Sequence, residues 1–244
     1  MNVWQCIILG VIQGATEFLP VSSSGHLLLA YRIMGLPDDL SFTLSLHLST
    51  LAAVLVAMRK QILPLIKRPF CKQTGMILLS SLPTAIIAAT VYFFRIDLSP
   101  FLGIGFALTA LLLLFSCEKG KSEVGAKQAV FIGITQGLAV MPGLSRSGST
   151  ISVAKMLGVE HEKAVTYSFL LSVPVIVGSF LADAVSGGFN FSTNILIGCV
   201  FAFFTGLASI KFMLNLFNNP KGFIIYLTAL SALVTLNDTV FKMF

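Results

Sequence analysis

The sequence predicts an all-α polytopic membrane protein, one domain over residues 1–244, built as an inverted repeat of two halves, 1–122 and 123–244. Three observations predict it: the composition, the length of the apolar runs, and a repeat at half the chain length. Of the 244 residues 56% are hydrophobic and only 11% are charged, with a mean hydropathy of +0.92. A soluble globular domain carries about 25% charged residues, so water is not the solvent for most of this surface. The net charge of +6 does not point to nucleic acid, because the Lys and Arg residues sit in short stretches between apolar runs, as topology signals do. Cys6, Cys71, Cys117 and Cys199 are scattered, with no CxxC pair and no histidine at metal-ligand spacing, which favours packing roles. The first segment lacks a charged n-region and a small-residue cleavage site, so it is expected to stay in the protein.

Six apolar runs read as full spans of about 20 residues each: 41–58, 74–94, 101–117, 163–181, 195–217 and 222–241, the last two separated by an Asn218-Asn219-Pro220-Lys221 turn. Two other segments, 3–35 and 129–158, are apolar at both ends and interrupted in the middle by Gly, Pro and serine clusters. These two are copies. With a shift of 123 residues and no gap, Gly10, Gln13, Gly14, Ser22, Ser24, Gly25 and Gly35 fall on Gly133, Gln136, Gly137, Ser145, Ser147, Gly148 and Gly158. The match runs on from Thr43, Ser45, Leu48 and Ser49 to Thr166, Ser168, Leu171 and Ser172. A duplicated half follows.

Loop charges give the orientation. Arg59, Lys60, Lys67, Arg68 and Lys72 lie in one stretch, Lys119, Lys121 and Lys127 in another, and Lys211 and Lys221 border a third, so these ends are expected in the cytoplasm. The stretches 95–100, with Arg95 alone, and 182–194, with no Lys or Arg, are expected outside together with both termini. The first interrupted segment then enters and leaves from the outer face and the second from the inner face. Each half is a re-entrant pair of half-helices plus three transmembrane helices, and an odd number of crossings inverts the copies. In proteins so built, sites lie where broken helices meet near the midplane. Broken backbone at membrane depth is tolerated only where protein or a water-filled cavity satisfies it.

The first break, from Gln13 through Glu17, Pro20, Ser22, Ser23, Ser24 and Gly25 to His26, places Gln13 and Glu17 four apart, on one helix face. A carboxylate in an apolar segment costs about 2.5 to 3.5 kcal/mol on insertion scales and marks a site by default. His26, alone, would be a core histidine; after a Ser-Gly turn and nine residues from Glu17 it is a candidate acid or base. The second break offers Ser145, Arg146, Ser147 and Thr150 after Met141-Pro142-Gly143. Hydroxyls and the N–H groups opening a half-helix bind anions, and a lone guanidinium adds a planar fork suited to phosphate oxygens.

The first break resembles (E/Q)xxxE followed by PxSSxGH, and the second resembles PGxSRSxxT, motifs that together mark the undecaprenyl pyrophosphate phosphatase family, also known for bacitracin resistance. The similarity covers nearly the whole chain. It implies hydrolysis of undecaprenyl pyrophosphate to the monophosphate carrier and inorganic phosphate in the bacterial inner membrane, with a divalent cation, Mg²⁺ or Ca²⁺, and a site open to the outer face. Carried onto this chain, it implies Glu17, Ser23, His26 and Arg146 as catalytic, Arg146, Ser145, Ser147, Thr150 and Ser22 as phosphate-binding, and Glu17 with Gln13 as metal ligands. Many members are similar to this chain but carry a second glutamate where it has Gln13; an amide oxygen still ligates a hard cation, without the charge. The nucleophile is Ser23, made competent by His26, or a water.

Partners expected on this reading are the polyprenyl pyrophosphate and membrane lipids, with a homodimer admitted and nucleic acid excluded. Two rivals compete. Ser24-Gly25-His26 resembles an element of the membrane phosphatidic-acid phosphatases, but their KxxxxxxRP is one residue too short for Lys60 to Arg68-Pro69, and Ser152 stands where they need a histidine. The other rival is a transporter or lipid flippase, for which inverted repeats are typical.

Overall fold

The computed structural model describes residues 1–116, 120–185, 193–216 and 220–241. Among the described residues there are eleven α-helices and no strand: α1 (Val3–Glu17), α2 (Ser23–Ile33), α3 (Leu40–Ala57), α4 (Arg59–Lys67), α5 (Lys72–Phe93), α6 (Leu102–Phe115), α7 (Ala126–Leu138), α8 (Arg146–Met156), α9 (His161–Val185), α10 (Thr193–Leu216) and α11 (Lys221–Leu236). A 3-10 turn, Ser99–Phe101, leads into α6, and a π turn, Asn237–Phe241, follows α11. Cys117, Lys119, most of the stretch 182–194, and Asn218 and Asn219 of the expected turn lie outside the described residues.

Both interrupted segments fold as pairs of half-helices, and equivalent residues make equivalent ends. Gln5 closes the opening turn of α1, with its Oε1 accepting from Asn2 N at 2.8 Å; its counterpart Gln128 does the same for α7 through Gly125 N at 3.2 Å. Ser22 and Ser145 are the N-caps of α2 and α8, accepting from Gly25 N and Gly148 N at 3.3 and 3.0 Å. A serine oxygen there satisfies an N–H that the helix leaves orphaned. At the far ends Gly35 and Gly158 take positive φ, +63° and +82°. The bonds Leu36 N to Tyr31 O and Val159 N to Ala154 O, 2.9 and 3.0 Å, close the two helices alike, the Schellman closure that favours glycine. Matching positions of the two segments thus make matching hydrogen bonds.

The halves are interleaved. α1 packs chiefly on α10 and α7 on α5, and α10 is the counterpart of α5, so each copy lends its first half-helix to the other. Small residues permit this. A Cβ on Gly10 would strike the Gly198 carbonyl, one on Gly14 would strike Ala202 O and Gly206 N, and one on Gly133 would strike Ser80 O. Ser80 Oγ and Thr84 Oγ1 donate to Ala129 O and Gly133 O across the α5–α7 seam at 2.7 and 2.8 Å. Between helices in lipid, close backbone approach and such bonds supply the association that apolar burial cannot.

Among the described residues five helices are long and apolar enough to cross a membrane: Leu40–Ala57, Lys72–Phe93, His161–Ala182, Thr193–Met213 and Lys221–Val240. The sixth expected span, 101–117, is shorter. Its helical residues run from Ser99 to Phe115 among the described residues, and Ser116, the C-cap, donates its hydroxyl to Leu113 O at 2.8 Å. One face of α6 (Leu102, Phe106, Thr109, Leu113) is buried in the protein, so this helix is fixed by its neighbours. A second difference is α4, a helix in the stretch read as a loop.

The tight α1–α10 seam predicts that Gly14→Ala lowers the melting temperature in detergent, by about 1 to 3 kcal/mol of overpacking. Gly178→Ala, where nothing lies within 4 Å of the new Cβ, is expected to hold or raise it. Equal melting temperatures would show that backbone approach does not constrain the fold.

Candidate active site

The two breaks meet. α1 ends at Glu17, Val21 N turns back to Leu19 O at 2.8 Å, and Ser22 takes φ +69° before α2 begins. A non-glycine residue in that region is strained, and such strain gathers at functional turns. Across from it, Ser147 Oγ donates to Leu19 O at 3.0 Å, joining the second break to the first. A Cβ on Gly25 would strike Gly143 N, and one on Gly148 would crowd Pro20. Thr109 Oγ1 donates to Gly143 O and accepts from Ser145 N, both at 2.9 Å, so α6 pins the turn before α8.

Glu17 lies where the breaks touch, with its side chain 1% exposed. Removing such a charge from water costs several kcal/mol unless donors replace the water. Three side chains do so, and an imidazole stands beside them. Arg146, from the opposite break, pairs with Oε1. Gln13 Nε2 and Ser23 Oγ donate to Oε2 at 2.8 and 2.5 Å, and His47 Nε2 lies 3.5 Å from the same oxygen. His47 Nδ1 donates to Thr43 O at 2.8 Å, which aims Nε2 at the carboxylate.

A cavity of about 290 Å³ opens on this cluster, with Glu17, Ser22, Ser23, Ser145, Arg146 and His47 among its polar lining. Its other wall is apolar: Leu40 and Leu44 of α3, Ala88 of α5, Val140, and Val175 and Ile176 of α9. A second cavity of about 350 Å³ shares Ser24, Leu40, Thr43 and Val140 with it and continues to Asp38, Asp39 and Asp97. A larger cavity, about 420 Å³, lies elsewhere among Lys72, Glu123, Glu160 and Lys163. Its Lys163 is tied to Glu160 and Glu123 at 3.1 and 3.4 Å on an exposed surface, and neither break contributes to its lining.

The other residues read from the sequence fall behind or beside this cavity. Thr150 Oγ1 bonds Ser168 Oγ at 2.7 Å and Arg146 O at 2.8 Å, fastening α8 to α9. Gln13 sits behind Glu17, fully buried. His26 faces another groove, of about 410 Å³, with Thr16, Phe223 and Tyr226. Both its ring nitrogens are engaged: Nδ1 donates to Ser22 O and Nε2 accepts from Tyr226 Oη, each at 2.7 Å, and the rings stack 5.8 Å apart. His47 was missed because it lies on an ordinary span. Its one signal was the run of polar residues Thr43, Ser45, His47 and Ser49 through an apolar helix.

A divalent cation needs several hard donors gathered in one place. Among the described residues no three His, Cys, Asp or Glu side chains gather to hold a metal. Gln13 Oε1 is nevertheless a buried oxygen without a hydrogen-bond partner, and its repeat counterpart Gln136 Oε1, from a residue that lines the cavity, is another. Glu17 Oε1 accepts from Arg146 alone among the described contacts. One carboxylate and one amide oxygen fit Mg²⁺ or Ca²⁺ in the manner of sites completed by substrate phosphates.

Comparison with known proteins gives the context for this geometry. The chain is 39% identical to the undecaprenyl-diphosphatase of Carboxydothermus hydrogenoformans, with 91% of each chain covered. It is 37% identical to that of Christiangramia forsetii, covering 91% of this chain and 92% of the other. With the undecaprenyl-diphosphatase of Parabacteroides distasonis it shares 34% identity over 99% of this chain and 100% of the relative. The family described as bacitracin resistance protein BacA matches residues 6–233, the stretch that holds both breaks, four of the five long apolar helices and most of the fifth, and the chain belongs to that family.

Proposed function

We propose that this multi-pass membrane protein is an undecaprenyl-diphosphatase, hydrolysing undecaprenyl pyrophosphate to undecaprenyl phosphate and inorganic phosphate and so renewing the lipid carrier of cell-wall synthesis. One observation carries the reading: Ser23 and Arg146, from opposite breaks, converge on one buried carboxylate beside an apolar-walled cavity, in a chain whose relatives bear that name.

The terminal phosphate enters against Arg146, and its oxygens compete with Glu17 for the guanidinium. A planar fork holds phosphate in two parallel bonds, while Glu17, released by the guanidinium, is the base that Ser23 faces. Ser23 Oγ, already donating to Glu17 Oε2, gives up its proton there and attacks phosphorus. The bond from phosphorus to the bridging oxygen breaks, and the polyprenyl monophosphate leaves with that oxygen. Water then releases phosphate from Ser23. His47 Nε2 is the imidazole placed to carry the proton on from Glu17 to the leaving oxygen. His26, read from the sequence for that role, ties the first break to α11 through Tyr226. A divalent cation held by Gln13 Oε1 and Glu17 would neutralise the pyrophosphate oxygens.

The prenyl chain leaves along Leu40, Leu44, Ala88, Val140, Val175 and Ile176. A cavity of about 290 Å³ is at the small end of ligand pockets, so most of a long chain stays in the bilayer. The cavity opens toward Asp38, Asp39 and Asp97, the end assigned to the outer face of the inner membrane by the Lys and Arg bias.

Purified protein is expected to release phosphate from undecaprenyl pyrophosphate, to lose the activity with a chelator and to recover it with Mg²⁺ or Ca²⁺; no release from any prenyl pyrophosphate would overturn the function. Arg146→Lys keeps the charge but loses the fork, and turnover should fall about 10²-fold; near wild-type turnover would reduce Arg146 to a field charge. Ser23→Ala should cost about 10³-fold or more, whereas a small loss would assign the attack to water. Gln13→Glu should lower the metal concentration for half-maximal rate. Unchanged metal dependence with a lower melting temperature would remove Gln13 from the ligand set.

A further inference from the structure

Residues 58–72 connect α3 to α5, two of the helices long enough to cross a membrane, so the segment between them lies at a membrane surface. It contains α4, nine residues with no buried side chain. Three kinds of surface run along it. Ile62 and Leu65 pack against the main core. Leu63 and Ile66 point away from it, 51% and 69% exposed, and Phe70, just past the helix, is wholly exposed. Around them stand Arg59, Lys60, Lys67, Arg68 and Lys72, with no acidic residue from 58 to 72. None of these five cations forms an ion pair among the described residues.

We propose that α4 and the Arg68–Lys72 stretch form a docking surface for anionic phospholipid headgroups, with Leu63, Ile66 and Phe70 seated in the leaflet below them. A helix with an apolar stripe and a basic rim lies in the interface plane, and a cluster of this many cations beside a span selects negative headgroups. Charge complementarity decides the occupant. A neutral leaflet would take the three apolar side chains but leave five unpaired cations without counter-charge. α3 turns into α4 with only Met58 between them, so the contact also fixes the depth of the helix that carries Thr43 and His47. The inference is independent of the phosphatase reading and of which leaflet the segment faces.

The test uses the single tryptophan of the chain, Trp4. In a Trp4→Phe, Phe70→Trp background, the full protein is placed in nanodiscs with equal mole fractions of brominated phosphatidylglycerol or brominated phosphatidylcholine. Quenching by the anionic lipid is expected to be about twofold stronger, to become equal at high salt, and to become equal when Arg59, Lys60, Lys67 and Arg68 are changed to Gln. The salt arm needs no charge variant and so stands even if that one fails to fold. Equal quenching by the two lipids at low salt would overturn headgroup selection. Quenching by neither, with cross-linking between copies through position 70, would assign the surface to a second copy of the chain instead.

Discussion

The structure depends on one buried carboxylate. Glu17 lies at the end of a half-helix that stops inside the protein, and its ion pair with Arg146 spans 129 residues of sequence. Neither break is satisfactory alone. The first brings an acid that needs donors, the second a guanidinium that needs an acceptor, and apolar surroundings make each costly by itself. Joined, they hold the two halves at the point where chemistry is required. On the proposed reading the same saturation is a resting site, with Ser23 beside a base that stays occupied until an anion draws Arg146 away.

The interleaving of the copies serves that junction. Because α1 packs on α10 and α7 on α5, each break is held by a span from the other half, and glycines at 10, 14 and 133 let backbones touch. The bonds made by Ser147, Thr109 and Thr150 then lock the turns. Several residues of the phosphate motif therefore bear on the position of Arg146 more than on the cavity itself, which Ser145 and Arg146 line but Ser147 and Thr150 do not.

Much of this was legible in the sequence, for reasons that can be named. The repeat was readable because identical residues make identical caps: Ser22 and Ser145, Gly35 and Gly158. Gln13 and Glu17 were readable because helix spacing puts them on one face. What the sequence hid depends on neighbours. Nine residues from Glu17 to His26 do not say which side of α2 the imidazole takes, and Tyr226, 200 residues away, draws it to the opposite groove. His47 sits in a span whose apolar run reads as plain membrane helix. In the stretch 59–72 the charges stand out as topology signals and mask the apolar residues at 62, 63, 65 and 66 that make α4 two-faced.

The measurement that bears most directly on the junction is a double-mutant cycle on thermal stability in detergent, with Glu17→Gln, Arg146→Gln and both together. If the pair joins the breaks, each single change strands a buried partner and costs about 3 to 5 kcal/mol, while the double variant, which strands none, is destabilised by clearly less than the sum. Additive losses, or single changes without effect on the melting temperature, would show that the breaks are held together without that pair.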